Sequence, residues 1–157
     1  MSSPFFSLAG KVAFVTGTSR GLGQHFARAL AQAGADIAMS SRDASKLDAF
    51  RKEIEALGRR TCAVALDVRD GASIKAGVAE VERQMGRIDI LVNNAGCNIR
   101  KPALEVSWED WNTILDTNLR GTFFTSQAVA PGMIARGYGR IINIGSVTCV
   151  AGYAGLA

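Results

Sequence analysis

At 157 residues, 48% hydrophobic and 20% charged, the chain can bury a respectable single-domain core and has the charge content of an ordinary water-soluble protein. Its net charge of +4 and pI near 9.3 come from basic residues that are scattered rather than massed in a run, which argues against nucleic-acid binding. Cys62, Cys97 and Cys149 lack metal-ligand or paired spacing, the N-terminal segment lacks a cationic start, and no apolar stretch approaches the roughly 20 residues of a membrane span. A reduced, cytoplasmic location is expected, with no metal and no membrane partner.

Apolar runs of strand length alternate with longer helical patterns, the signature of repeated βαβ units and a parallel sheet. Strands are predicted near 11–16, 36–40, 61–66, 88–93 and 139–145, and helices near 22–33, 44–57, 72–85 and 109–135, the last broken near Pro131-Gly132. Val12, Ile37, Val64, Ile90 and Ile142 lie in runs apolar at nearly every position, as expected of strands covered on both faces. The fold class is therefore α/β, a doubly wound parallel sheet of the Rossmann type. Right-handed crossovers order the strands 3-2-1-4-5 and place a ligand crevice where strand 1 meets strand 4.

The first strand, Lys11-Val12-Ala13-Phe14-Val15, runs directly into Thr16-Gly17-Thr18-Ser19-Arg20-Gly21-Leu22-Gly23 and then into a helix. This is the pattern of a dinucleotide cradle. Gly17 permits the tight turn, Gly21 lets backbone approach a pyrophosphate, and Gly23 lets the helix pack on the strand. Gly17, Ser19, Arg20, Gly21, Leu22 and Gly23 are accordingly assigned to the cofactor. At the end of the second strand, an acidic residue would mark NAD by hydrogen-bonding the ribose 2′-hydroxyl. Ser41 stands there instead, beside Arg42, with Arg20 in the glycine loop. Two guanidinium groups and a small hydroxyl suit a 2′-phosphate, so NADP(H) is favoured over NAD(H). The alternative is that Arg42 merely precedes an exposed helix capped by Asp43 and that Arg20 is a solvated loop residue.

Three further motifs follow. Ile88-Asp89-Ile90-Leu91-Val92 leads into Asn93-Asn94-Ala95-Gly96, Asn118 lies in Thr117-Asn118-Leu119-Arg120-Gly121, and Ser146 ends Ile141-Ile142-Asn143-Ile144-Gly145-Ser146. With these in order, the chain from Ala9 onward resembles the short-chain dehydrogenase/reductase family, classical type. The resemblance implies that Asp67 accepts a hydrogen bond from the adenine amino group and that Val68 packs on the ring. Asn94, Ala95 and Gly96 are implied to bring backbone close to the cofactor ribose. As catalytic groups it implies Ser146, holding the substrate oxygen, and Asn118, positioning a proton-relay water. Taken alone, Ser146 could be a strand-end serine closing a turn. Asn118 inside a helix is intrinsically unfavourable, which points to a role beyond helix formation.

The family's Tyr-x-x-x-Lys acid/base is absent from the sequence. It is expected about thirteen residues after the serine, near position 159. Tyr153 lies only seven residues after Ser146 and has Ala157 where the lysine is required, so it reads as a loop aromatic over the rim of the site. Single domains of this class run to about 200–250 residues. Residues 1–157 are thus expected to be the N-terminal portion of one dinucleotide-binding domain, truncated after its fifth strand and inactive alone.

The segment Cys97-Asn98-Ile99-Arg100-Lys101-Pro102 looks most like the branch of the family that oxidises sugar acids. Arg100 and Lys101 at the crevice mouth would suit a carboxylate. A solvated loop pair is the bland alternative. A 3-oxoacyl carrier-protein reductase is the second reading, since an acidic carrier would be drawn to the same charges. A non-catalytic dinucleotide-binding fragment is the reading of another class. His25 has no plausible catalytic or metal-binding partner, and Trp108 and Trp111 read as packing residues. Family resemblance further implies a homo-oligomer acting on a small carbonyl or alcohol substrate.

Overall fold

The computed structural model describes residues 6–153 and Gly155. Five parallel strands, β1 (Val12–Val15), β2 (Asp36–Ser41), β3 (Thr61–Ala65), β4 (Ile90–Asn93) and β5 (Arg140–Asn143), form one sheet in the order β3-β2-β1-β4-β5. Successive side chains of a strand point to opposite faces. Ala13 and Val15 of β1 accordingly join Ile37, Met39, Phe50 and Ile54 in one core, beneath α1 (Leu22–Gln32) and α2 (Asp48–Ala56). Val12 and Phe14 join Val64, Val81, Leu91 and Val129 in the other, beneath α3 (Gly71–Met85) and α5 (Gly121–Ala135). This is the doubly wound Rossmann arrangement the apolar runs predict, and α/β topology carries the ends of β1 and β4 to a shared crevice.

Three details depart from the sequence expectation. The fifth strand is not covered: Ile141 and Ile142 are 40% and 45% exposed, because none of the described helices packs on this edge strand. The long helix over 109–135 is three segments, α4 (Trp108–Leu115), a π-helical turn (Asp116–Arg120) and α5. Pro131 does not break α5, which continues to Ala135 with Val129 and Met133 buried on either side of the proline. Packing against α3 and the sheet outweighs the single backbone hydrogen bond that proline forfeits.

Element ends carry explicit chemistry. The Asp70 carboxylate accepts hydrogen bonds from the Ala72 and Ser73 amides at the start of α3, and Gly86 ends that helix with φ at +84°. Ser107 and Asp110 form a reciprocal capping box at α4. At the N-terminal edge of the sheet, the fully buried Asp89 accepts from the Val12 amide at 3.0 Å and from Arg87 at 2.8 and 2.5 Å. Replacing Arg87 with Met leaves that carboxylate buried without its cation. Removal of one partner of such a pair should cost about 3 kcal/mol, measured as a lower midpoint in urea unfolding at unchanged slope. No loss on Arg87→Met would show that solvent already compensates Asp89.

Candidate active site

The carboxyl ends of β1, β2, β3 and β4 open into a cleft of about 500 Å³. Its floor is the turn after β1. Gly17 adopts φ +69°, and a Cβ there would lie 2.8 Å from Ala95 Cα. A Cβ on Gly23 would collide with the Gly17 carbonyl and sit 2.7 Å from Asn94 Nδ2. Gly21, at φ +62°, faces open space and precedes α1, whose first amides receive no side-chain cap. Amides without a side-chain cap at the positive end of α1 therefore border the space that Gly21 leaves open, which suits an anionic pyrophosphate.

A buried hydroxyl ties this turn to the loop after β4. Thr16 Oγ1 accepts from the Asn94 and Ala95 amides at 3.1 and 3.0 Å, and Asn94 Nδ2 donates back to the Thr16 and Gly17 carbonyls at 2.9 and 3.1 Å. Ser19, Arg20, Leu22, Ala95 and Gly96 line the same cleft.

At the end of β2, the Ser41 hydroxyl donates to the Asp43 carbonyl and accepts from the Asp43 amide at 3.2 Å. The Asp43 carboxylate is turned to Ser45, whose hydroxyl and amide hold its pKa below the usual carboxylate range. Asp43 does cap the following turn, as the alternative reading supposed, yet Arg42 and Arg20 both line the cleft. Among the described residues neither guanidinium makes a hydrogen bond or salt bridge, in contrast to Arg59, Arg60 and Arg136 elsewhere, each bonded to a backbone carbonyl. The Ser40 hydroxyl, also in the cleft wall, is buried without a partner.

Asp67 is the one carboxylate among the residues lining the cleft, and Arg69 holds it through two side-chain hydrogen bonds. Those bonds keep its pKa below the ordinary value. Val68 is set by Gly121, where a Cβ would lie 2.8 Å from both the Val68 Cβ and its carbonyl oxygen.

A second cavity of about 580 Å³ adjoins the first, with Cys97 lining both. Asn118 spans the wall: its amide accepts from the Cys97 N–H and donates to the Cys97 carbonyl, both at 2.8 Å. The π turn gives it this position, the Gly121 amide reaching back five residues to the Asp116 carbonyl. Freed hydroxyls help satisfy the altered ladder, with Thr117 Oγ1 donating to the Thr113 carbonyl and Thr122 Oγ1 to that of Asn118. Asn118 thus acts through its side chain as a loop clamp.

Ser146 also lines the second cavity, together with Arg100 and the 53% exposed Tyr153. Its oxygen accepts from the Thr148 amide at 3.2 Å and the Thr148 hydroxyl at 2.9 Å. Both lone pairs are engaged, which leaves the Ser146 proton to be donated. It closes a turn and faces the cavity at once.

The structure therefore brings the predicted cofactor residues into one cleft and Ser146, Asn118 and Arg100 into the next. Lys101 is separated from them: its ammonium pairs with Asp110, and it lines neither cavity. Residues the motifs did not single out include Thr16, Arg69, Cys97, Thr113, Thr117 and Gly121. Thr16 and Gly121 stand inside quoted motifs, so their placement was available. Arg69 carries no local signal.

The family model for short chain dehydrogenase matches residues 11–157. The chain is 45% identical over its whole length to gluconate 5-dehydrogenase of Gluconobacter oxydans, covering 62% of that protein. It is 44% identical over 148 residues to 2-dehydro-3-deoxy-D-gluconate 5-dehydrogenase of Escherichia coli, covering 94% of this chain and 58% of that one. A crystal structure of a gluconate 5-dehydrogenase from Burkholderia cenocepacia in complex with NADP and tartrate superposes with a TM-score of 0.91 at 40% identity, covering 97% of this chain and 60% of that one. The chain thus spans about three-fifths of the length of these relatives. With the glycine cradle, the Thr16–Asn94 junction and the Ser146 cavity in place, these matches establish that the chain belongs to the short chain dehydrogenase family.

Proposed function

We propose that the 157 residues form the N-terminal portion of one dinucleotide-binding domain, and that the whole protein is an NADP(H)-dependent oxidoreductase acting on the secondary alcohol or ketone of a sugar acid. The observation that carries the cofactor reading is the pair of guanidiniums unpartnered among the described residues, Arg20 and Arg42, lining the cleft with Ser41, whose position at the end of β2 carries a hydroxyl and not a carboxylate. A phosphate there would gain charge-assisted hydrogen bonds from both, whereas a carboxylate at position 41 would repel it. The cradle fits the group: side chains are excluded at Gly17 and Gly23, and Gly21 opens on empty space. Bound there, NADP(H) would supply or accept the hydride.

The remaining chemistry belongs to the second cavity. The free proton of Ser146 can be donated to the substrate oxygen, stabilising charge that builds on it in the transition state. Asn118 keeps Cys97 and the loop after β4 in register with that serine. No Tyr-x-x-x-Lys sequence occurs in the chain, so the proton donor and acceptor are assigned to residues outside it. Arg100, unpaired among the described residues, can receive a carboxylate, while Lys101 is already neutralised by Asp110. The tartrate-bound relative, a protein holding a dicarboxylate, supports that substrate class. Exposed Trp108, Trp111, Phe123 and Phe124 on α4 and α5 support a homo-oligomer. No helix among the described residues is long and apolar enough to cross a membrane.

In a full-length form, Ser41→Asp should reverse the preference for NADP over NAD, and Arg42→Ala should weaken NADP binding by about tenfold while sparing NAD. Parallel titrations decide this, and equal affinities in the parent protein would remove the phosphate clamp. Ser146→Ala should lower kcat by about 10²–10³ with cofactor affinity little changed. Arg100→Gln should raise KM for a sugar acid and leave KM for the corresponding uncharged polyol unaltered. Sugar-acid oxidation absent from the full-length enzyme, with the NADP titration intact, would displace the substrate reading alone.

A further inference from the structure

Two residues past Ser146, Thr148 lines the same cavity of about 580 Å³, carried by the short turn Val147–Cys149. The Thr148 amide donates to Ser146 Oγ at 3.2 Å, and Thr148 Oγ1 donates to the same oxygen at 2.9 Å. A hydroxyl has one proton and two lone pairs, so Ser146 keeps its proton free and Thr148, among the described residues, keeps both lone pairs free. The reverse direction would use the Ser146 proton on Thr148 and leave nothing to donate to a carbonyl oxygen. Two polar neighbours in the wall cannot supply the acceptor in its place. Asn118 commits its amide oxygen to the Cys97 N–H, and the Arg100 guanidinium can only donate.

The pair thus shows the cavity a donor and an acceptor whose oxygens are 2.9 Å apart. Two oxygens on adjacent carbons, in the gauche arrangement, are also separated by about one O–H···O hydrogen-bond length. We infer that Thr148 is a specificity-determining residue: it accepts from a hydroxyl on the carbon next to the reacting one, so that the cavity takes α-hydroxy ketones and vicinal diols ahead of isolated ketones and alcohols. The inference rests on the oxidoreductase reading above and narrows its substrate class. The reacting oxygen receives the Ser146 proton while the adjacent hydroxyl donates to Thr148 Oγ1, giving two parallel bonds whose spacing the protein sets. Each bond supports the other. A hydroxyl that accepts becomes a better donor, so a substrate hydroxyl at Thr148 strengthens the bond from Thr148 to Ser146, and that bond strengthens the one from Ser146 to the reacting oxygen. An isolated ketone leaves the Thr148 lone pairs to water and lacks this chain.

The test is the reduction of hydroxyacetone and methoxyacetone with NADPH by the full-length enzyme and its Thr148→Val and Thr148→Ser variants. Each ketone has one carbonyl and an oxygen on the next carbon, but only hydroxyacetone can donate from that oxygen. The parent should favour hydroxyacetone in kcat/KM. Thr148→Val keeps the side-chain shape and the backbone amide bond to Ser146, and should cut that preference by about five- to tenfold, the effect of one lost hydrogen bond. It should also slow both ketones by a common factor, because Ser146 loses one of its two donors. Thr148→Ser should restore the preference. A Thr148 that only shapes the turn would lower both rates and leave their ratio unmoved, which would overturn the inference, as would a parent that reduces neither ketone or does not favour hydroxyacetone. A preference that depends on Thr148, in an enzyme that leaves D-gluconate unoxidised, would displace the sugar-acid reading and leave the inference standing. Oxidation of D-gluconate with an unmoved ratio would do the reverse.

Discussion

The hydroxyl of Thr16 is the joint on which the site depends. It is 1% exposed, accepts from two consecutive amides of the loop after β4 and makes a 3.4 Å contact to the Val92 carbonyl. In a doubly wound sheet the strands adjacent at the switch point send their connections to opposite faces, so nothing in the topology alone holds the two loop tips together. A buried hydroxyl with its acceptors used does so at little side-chain entropy, and leaving those amides unpaired would cost their full desolvation. Gly17 and Ala95 meet because of it, and so the cleft has a floor.

Two groups of arginines sit at opposite edges of the sheet. On the N-terminal side, Arg59, Arg60 and Arg136 bond to the carbonyls of Gly34, Met85 and Ile88, and Arg87 neutralises buried Asp89. These cations close off backbone groups at helix and strand ends, where a guanidinium's several donors suit multiple acceptors. On the C-terminal side, Arg20, Arg42 and Arg100 line cavities instead. Composition reports only the sum, a modest positive charge, and gives no hint that its two populations do different work.

Strand order and the identity of the cleft residues were legible because they rest on short-range signals: continuous apolar runs of strand length, glycines at a strand-to-helix turn, and asparagines after β4. What escaped depended on partners distant in sequence. Lys101 looked like half of a cationic pair, yet Asp110, nine residues on, claims it through the capping box that starts α4. Pro131 signalled a break, but the helix is held from outside by α3. Ile142 looked like a covered strand residue, since an apolar run carries no information about which strand ends up at the edge.

The π turn at Asp116–Arg120 amounts to one residue more than a regular helix would need between α4 and α5. At about 100° per residue, that extra residue resets the angular phase of everything before it relative to everything after it. The two helices can thus obey different neighbours, the Thr113 carbonyl meeting the Cys97 thiol on one side of the turn while Gly121 lies flush on Val68 on the other. The segment acts as a register mark between the two helices. A change in its length would turn one half of the cleft wall away from the other, so the spacing between Thr113 and Gly121 sets how the Cys97 loop and Val68 face a common space.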